Sequence, residues 1–177
     1  MPESEQRLPD WVTFPKLTRA FENSILVDHP LDEVFPFFAD AGNLEALTPP
    51  WLKFSILTEQ PIKMEEGTLI DYQIRLHGIP MRWRTRIDLW EPPYRFVDSQ
   101  IKGPYRIWHH EHLFEEINGQ TKITDRIQYR VLGGKLVDNL MVWRDVQRIF
   151  EFRRSRMEEL FVVQKAEAGG LTTGSVS

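Results

Sequence analysis

The sequence predicts an α+β domain in which an antiparallel sheet lies against one long C-terminal helix. Three observations carry this. Residues 135–164 keep apolar spacing at helical period for about eight turns with no Pro or Gly inside. Residues 52–131 read as six strands in succession, joined by short turn signals. One strand and two short helical segments come before them, which is not the alternating order of a parallel βα sheet.

In chain order, residues 1–17 are punctuated by Pro and charge and are expected to form an arm. Residues 19–28 alternate as a strand. His29-Pro30 reads as a helix entry, with His29 as a cap residue, Pro30 at the first helical position and Asp32 and Glu33 in the first turn. A second short helix is expected from Asp40 to just before Pro49-Pro50. Strands follow at 52–59, 67–77, 81–91, 94–101, 105–117 and 121–131, with connections at Gly78-Ile79-Pro80, Pro92-Pro93, Gly103-Pro104 and Asn118-Gly119. Asn-Gly between alternating runs is the strongest hairpin signal among them. The domain is expected to span 18–165, and the Gly/Ser/Thr-rich residues 166–177 to be a flexible tail.

Composition excludes several functions. With 41% hydrophobic residues in 177, one domain with a sizeable core is expected. A net charge of −4 gives no electrostatic case for nucleic acid. The absence of cysteine removes disulfides, thiolate catalysis and cysteine-bound metal. No apolar run approaches the ~18 residues of a membrane span, and the N-terminus lacks a signal-peptide core, so a cytoplasmic protein without membrane insertion is expected.

Alternation assigns the strand faces. Tyr72 shares a side with Ile70, Ile74 and Leu76; Trp83 shares one with Thr85, Ile87 and Leu89, opposite Arg82, Arg84 and Arg86. The arginine row reads as a solvated outer face. In the sixth strand Trp108, His110, His112 and Phe114 share one side, and their aromatic bulk favours that side as the interior. Asp125 and Tyr129 ride on an otherwise apolar face of the seventh. On the long helix Leu136, Trp143, Val146, Phe150, Met157, Leu160 and Phe161 form a stripe that Arg153 interrupts, with Asn139 near the same line.

The element order is that of the helix-grip fold. Leu47-Thr48-Pro49, Gly78-Ile79-Pro80, Phe96-Val97-Asp98, Gly103-Pro104, the Trp108, His110, His112, Phe114 alternation and Ile149-Phe150-Glu151-Phe152-Arg153 stand in the order seen in the SRPBCC (START/polyketide cyclase-like) ligand-binding superfamily. The chain resembles its small bacterial cyclase/dehydrase-like branch over residues 18–163. The resemblance implies a seven-stranded antiparallel sheet around the C-terminal helix, with an elongated cavity between them. It implies no single activity and carries over no catalytic set.

The polar residues expected inside are His110, His112, Asp125, Tyr129 and Arg153, and with Tyr72, Trp83, Trp108 and Phe150 they form the candidate ligand-binding set. Such a cluster can orient a polar head group or move a proton, since histidine titrates near neutral pH. Equally, the groups can satisfy one another, with Arg153 paired to Asp125. The His110, His112 and Glu116 spacing partly imitates a cupin metal motif, but no second motif supplies another histidine and Glu116 sits near a hairpin end. No metal or cofactor is therefore expected. His77 is expected exposed at its turn. Trp51 either sits in a loop at the cavity mouth or plugs the core beneath the short helices. Gly133-Gly134 could let the long helix lift or simply make the turn. Three functions stay open: binding or carriage of a hydrophobic small molecule, a cyclase/dehydrase-type enzyme with His110 or His112 as general acid/base, and an accessory domain with a filled cavity. Ligand identity and oligomeric state are not legible.

Overall fold

The computed structural model describes residues 18–168. The predicted arm, and the tail beyond residue 168, lie outside the described residues. Seven strands form one antiparallel sheet in the order β1-β7-β6-β5-β4-β3-β2. They are β1 (Arg19–Val27), β2 (Ser55–Ile56), β3 (Leu69–Leu76), β4 (Ile79–Glu91), β5 (Arg95–Lys102), β6 (Tyr105–Ile117) and β7 (Gln120–Val131). Helix α1 (Leu31–Ala39) and two 3-10 turns (Ala41–Glu45 and Pro50–Leu52) separate β1 from β2. The chain closes with α2 (Gly134–Val137), a π turn (Asp138–Val142) and α3 (Trp143–Ala168).

Four hairpins set the sheet, one of them turning at Pro92-Pro93 as expected, with Glu91 paired to Arg95. Asn118 and Gly119 take positive φ of 53° and 80° and join Ile117 directly to Gln120, as their sequence predicts. The β3–β4 turn sits one residue earlier than expected. His77 and Gly78 occupy the two positive-φ positions (51° and 82°), and Ile79 and Pro80 already belong to β4. The β5–β6 turn is wider than Gly103-Pro104 alone: the Gln100 amide donates to the Tyr105 carbonyl (2.7 Å) and accepts from the Tyr105 N–H (3.2 Å).

Other expectations need correction. The predicted second strand shrinks to two residues, and 3-10 turns replace the second short helix. Asp40 opens the first of these by accepting from Gly42 N–H at 2.8 Å. Pro30 is the N-cap of α1, not its first helical residue. His29 is buried rather than a side-chain cap, reaching Glu33 and the Phe161 carbonyl and so tying the start of α1 to α3. His77, by contrast, is exposed as expected, and it bridges to Asp145 on α3 at 2.8 Å.

The long helix forms as expected but carries a π turn near its start. The π turn shifts the helical phase, so the residues before it leave the stripe that α3 continues. Leu136, expected on the apolar face, is therefore 71% exposed, and Asp138 takes the buried position. Asp138 is satisfied there by Tyr129 Oη–H (2.8 Å) and Arg19 Nε–H (2.9 Å).

The interior falls into two apolar groups. One, beneath α1, joins Phe35, Phe38, Phe114, Ile123, Met157 and Phe161. The other joins Ile127, Tyr129, Val131, Val146 and Phe150. Along α3, Arg153 lies between Phe150 of one group and Met157 of the other, so the polar cluster sits at their boundary.

Candidate functional site

Strand register builds the site. On β5, Asp98 stands opposite His110 and Phe96 opposite His112. On β7, Asp125 stands opposite His112. Three adjoining strands thus bring two carboxylates and two imidazoles together on the inner face. Both histidines are buried, as expected, while His109 and Glu111 on the other face are partly exposed and Glu115 is exposed. Phe96 stacks on His112 with centroids 4.0 Å apart, and the two imidazoles lie 3.8 Å apart.

Both rings are held between the carboxylates. His110 Nε2 is 2.9 Å from Asp125 Oδ1, and its Nδ1 is 3.7 Å from Asp98 Oδ2. His112 Nε2 is 2.9 Å from Asp98 Oδ2. Its Nδ1 is 3.1 Å from Asp125 Oδ1, close enough for ionic attraction but out of line for a hydrogen bond. Arg153 Nε–H donates to Asp125 Oδ2 at 3.2 Å, which is the ion pair expected from its place on the stripe.

These contacts set the charges. Burial raises the Asp125 carboxyl, but the Arg153 guanidinium, the bond from His110 and the close approach of His112 outweigh it and hold the acid well below its ordinary value. At Asp98, burial likewise opposes and the bond from His112 helps prevail, so that carboxyl is also lowered. Burial and then the charge on His112 push His110 down to about 4. Burial opposes charge on His112 as well, yet the Asp125 carboxylate beside it and its bond to Asp98 together raise it. The Arg153 guanidinium and the two imidazoles thus stand against two carboxylates, and each buried carboxylate has a partner, the condition under which buried charge is tolerable.

This cluster forms part of the wall of a cavity of about 200 Å³ between the sheet and α3. Of the residues singled out from the sequence, Tyr72, Trp83, Trp108, His110 and His112 line it from the strands, and Phe150 and Arg153 from the helix. Asp125 and Tyr129 do not line it; both are 1% exposed, Asp125 behind the histidines and Tyr129 turned to Asp138. Trp83 and Trp108 meet edge to face at 5.5 Å, and Tyr72 stacks on Trp83 at 5.7 Å. Burial pushes the Tyr72 phenol well above its ordinary value, so it remains a neutral hydroxyl.

Sequence reasoning missed Asp98, which lines the cavity and grips both histidines. Its signal was parity, since Phe96 and Asp98 share a strand face. Sequence reasoning also left Trp51 with two places open, and its exposure removes the core plug. Trp51 is 48% exposed, packs edge-on to Phe152 and carries Arg148 over its ring, while its neighbour Leu52, not Trp51, lines the cavity. Glu116 is exposed near the end of β6 and takes no part in the cluster.

Among the described residues no helix is long and apolar enough to cross a membrane. No curated protein sequence matches the chain. Residues 27–154 match the family described as polyketide cyclase / dehydrase and lipid transport. The Zhui aromatase/cyclase from Streptomyces sp. R1128 has a similar structure, with 18% identity, TM-score 0.69, and coverage of 87% of this chain and 99% of that one. Protein Ms6760 from Mycobacterium smegmatis aligns at 14% identity and TM-score 0.62 over 82% and 92% of the two chains. A protein from Thermus thermophilus aligns at 16% identity and TM-score 0.60 over 82% and 99%. At such identities the likeness establishes the helix-grip fold. The family match covers most of the chain, and on that ground this protein belongs to the polyketide cyclase/dehydrase and lipid-transport family of the SRPBCC superfamily.

Proposed function

We propose that the protein binds a hydrophobic small molecule, with a ring system against Tyr72, Trp83, Trp108 and Phe150 and a polar oxygen toward Asp98, His110, His112 and Arg153. The cavity carries this reading: it lies between sheet and helix, is apolar over most of its lining, and has charged groups on one wall. A ligand with one polar end satisfies both parts. The accessory-domain reading has less support, because an interior filled by side chains would leave no such space.

A cyclase/dehydrase-type reaction is the second reading. Its support is that both imidazoles line the cavity and each is gripped by carboxylates, an arrangement in which a histidine can move a proton on a bound substrate. Carrier and enzyme part on one observation: a carrier returns its ligand with both mass and chromatographic retention unchanged, whereas dehydration lowers the mass and ring closure alone alters the retention.

The binding reading is tested with anilinonaphthalene sulfonate, a fused-ring probe, followed by emission from Trp83 and Trp108. Saturable binding with quenching of tryptophan emission is expected. Ile74→Trp, which puts a large ring into the cavity lining, is expected to weaken it at least tenfold. Probe binding that is absent, or indifferent to Ile74→Trp in a folded variant, overturns the reading.

A further inference from the structure

We propose that Asp98, His110 and His112 hold one divalent transition-metal ion at the cavity wall, with Asp125 orienting both imidazoles. Asp98 Oδ2 lies 2.9 Å from His112 Nε2 and 3.7 Å from His110 Nδ1. All three donor atoms lie within 4.8 Å of one another. Around an ion bonded at ~2.0–2.2 Å, neighbouring donors stand roughly 3–3.5 Å apart. The two carboxylate–imidazole distances already bracket that spacing, and the ring nitrogens lie within 4.8 Å of one another, so a modest closing of the two rings lets the three atoms share one cation.

The far side of each ring is the second support. A histidine bound to metal through one nitrogen almost always hands its other N–H to a carboxylate or carbonyl, which fixes the tautomer. Here one oxygen, Asp125 Oδ1, faces the far nitrogen of both rings, at 2.9 Å from His110 Nε2 and 3.1 Å from His112 Nδ1. Arg153 on the other Asp125 oxygen keeps that carboxylate anionic. With Asp125 taking both N–H groups, the lone pairs of His110 Nδ1 and His112 Nε2 turn toward Asp98. His112 Nδ1 is buried without an aligned bond, and drawing Nε2 onto a cation is a motion that can bring Nδ1–H onto Asp125.

The third support is the open side. All three ligands line the cavity. Protein therefore supplies donors from one wall, and the remaining coordination positions face the space where a ligand enters, as in catalytic rather than closed structural sites. Two imidazoles and one carboxylate suit Zn²⁺ or Fe²⁺ better than Ca²⁺ or Mg²⁺. The vacant positions fit an oxygen donor, such as a carbonyl, carboxylate or hydroxyl, on the hydrophobic ligand. The sequence reading expected no metal because no second motif supplies another histidine and the carboxylate it weighed, Glu116, sits near a hairpin end. The carboxylate that completes the set comes instead from the neighbouring strand. The ligand class rests on the binding reading above; metal binding itself does not.

Without a cation, an imidazolium shared between two carboxylates accounts for the same distances, so the two states must be separated by titration. Chelator-stripped protein is titrated with Co²⁺, followed by its visible absorption, and then with Zn²⁺ in competition. One equivalent of Co²⁺ is expected to bind with micromolar or tighter Kd and to be displaced by Zn²⁺. Asp98→Asn and His110→Asn are expected to abolish saturable binding, and Asp125→Asn to weaken it about 10–100-fold. Glu116→Gln and His77→Ala are expected to leave it unchanged. Should the cluster variants fail to fold, X-ray absorption at the zinc edge of wild-type protein is expected to show two imidazoles on the ion. No saturable binding by wild-type protein, an affinity indifferent to Asp98→Asn, or a zinc edge without imidazole overturns the proposal. Metal binding with no uptake of anilinonaphthalene sulfonate sinks the carrier reading alone, and probe uptake with no metal binding sinks this proposal alone.

Discussion

At Asp125 a guanidinium and two imidazoles converge on one carboxylate that is 1% exposed. Removing one partner leaves the others buried and unbalanced. Arg153→Met is therefore expected to destabilise the fold by roughly 3–5 kcal/mol, and the Asp125→Asn, Arg153→Met double variant by less than the two single effects combined. Urea denaturation of the three variants checks this; simple additivity would mean that the pair is not coupled. The histidines add a pH dependence, for which metal-free protein is the sample. His110 is lowered to about 4 in the fold, so as pH falls from about 6.5 the unfolded chain takes up a proton that the folded chain refuses, and stability drops. His112 is raised, so its contribution is whole below about 6.5 and is lost as pH rises through the folded value. A stability maximum close to pH 6.5 is expected, at roughly the ordinary histidine value. His110→Asn should flatten the acid limb and His112→Asn the alkaline one, read from urea midpoints; a profile unchanged by both variants contradicts the charge assignment.

At the scale of elements, the π turn decides which side chains of the C-terminal segment are buried. It carries Asp138 inward to Tyr129 and Arg19 and leaves Leu136, Leu140 and Met141 exposed. The buried acceptor therefore ties β1, β7 and the helix together. Asp138→Ala leaves the Tyr129 hydroxyl without its acceptor and is expected to cost about 1–3 kcal/mol. Tyr129→Phe in the same chain should recover part of that loss, because the stranded hydroxyl goes with it. Calorimetric melting of both variants measures this, and a double variant less stable than Asp138→Ala alone would contradict it.

At the scale of the whole molecule, α3 meets β7 directly where Arg153 bonds Asp125, and the cavity lies between the helix and the sheet beside that contact. Near one end the His77 imidazole at the β3–β4 turn meets Asp145 at 2.8 Å, an exposed contact that bridges the two walls. His77→Ala is expected to leave melting nearly unchanged, since exposed ion pairs contribute about 0–1 kcal/mol. It is expected to raise the dissociation rate of bound anilinonaphthalene sulfonate in stopped flow, by freeing the turn from the helix. An unchanged rate would place the ligand's route elsewhere.

What the sequence determined by itself was everything governed by local geometry. Strand alternation turned Trp108, His110 and His112 inward, and helical period turned Arg153 to the sheet. Asn118-Gly119 demands a two-residue turn, and that turn alone dictates that His112 stands opposite Asp125. Tertiary structure decided the rest. A tight turn at Gly103-Pro104 would have paired Asp98 with His109, on the outer face. The wider turn closed by Gln100 slips the register by one and brings Asp98 to His110. The π turn likewise has no marker in the apolar period, because it is held by Tyr129 and Arg19 from other strands. The β5–β6 register rests on bonds between Gln100 and Tyr105, five residues apart, which no apolar alternation marks, whereas the π turn rests on side chains from other strands, and contacts of that kind exist only once the chain has folded.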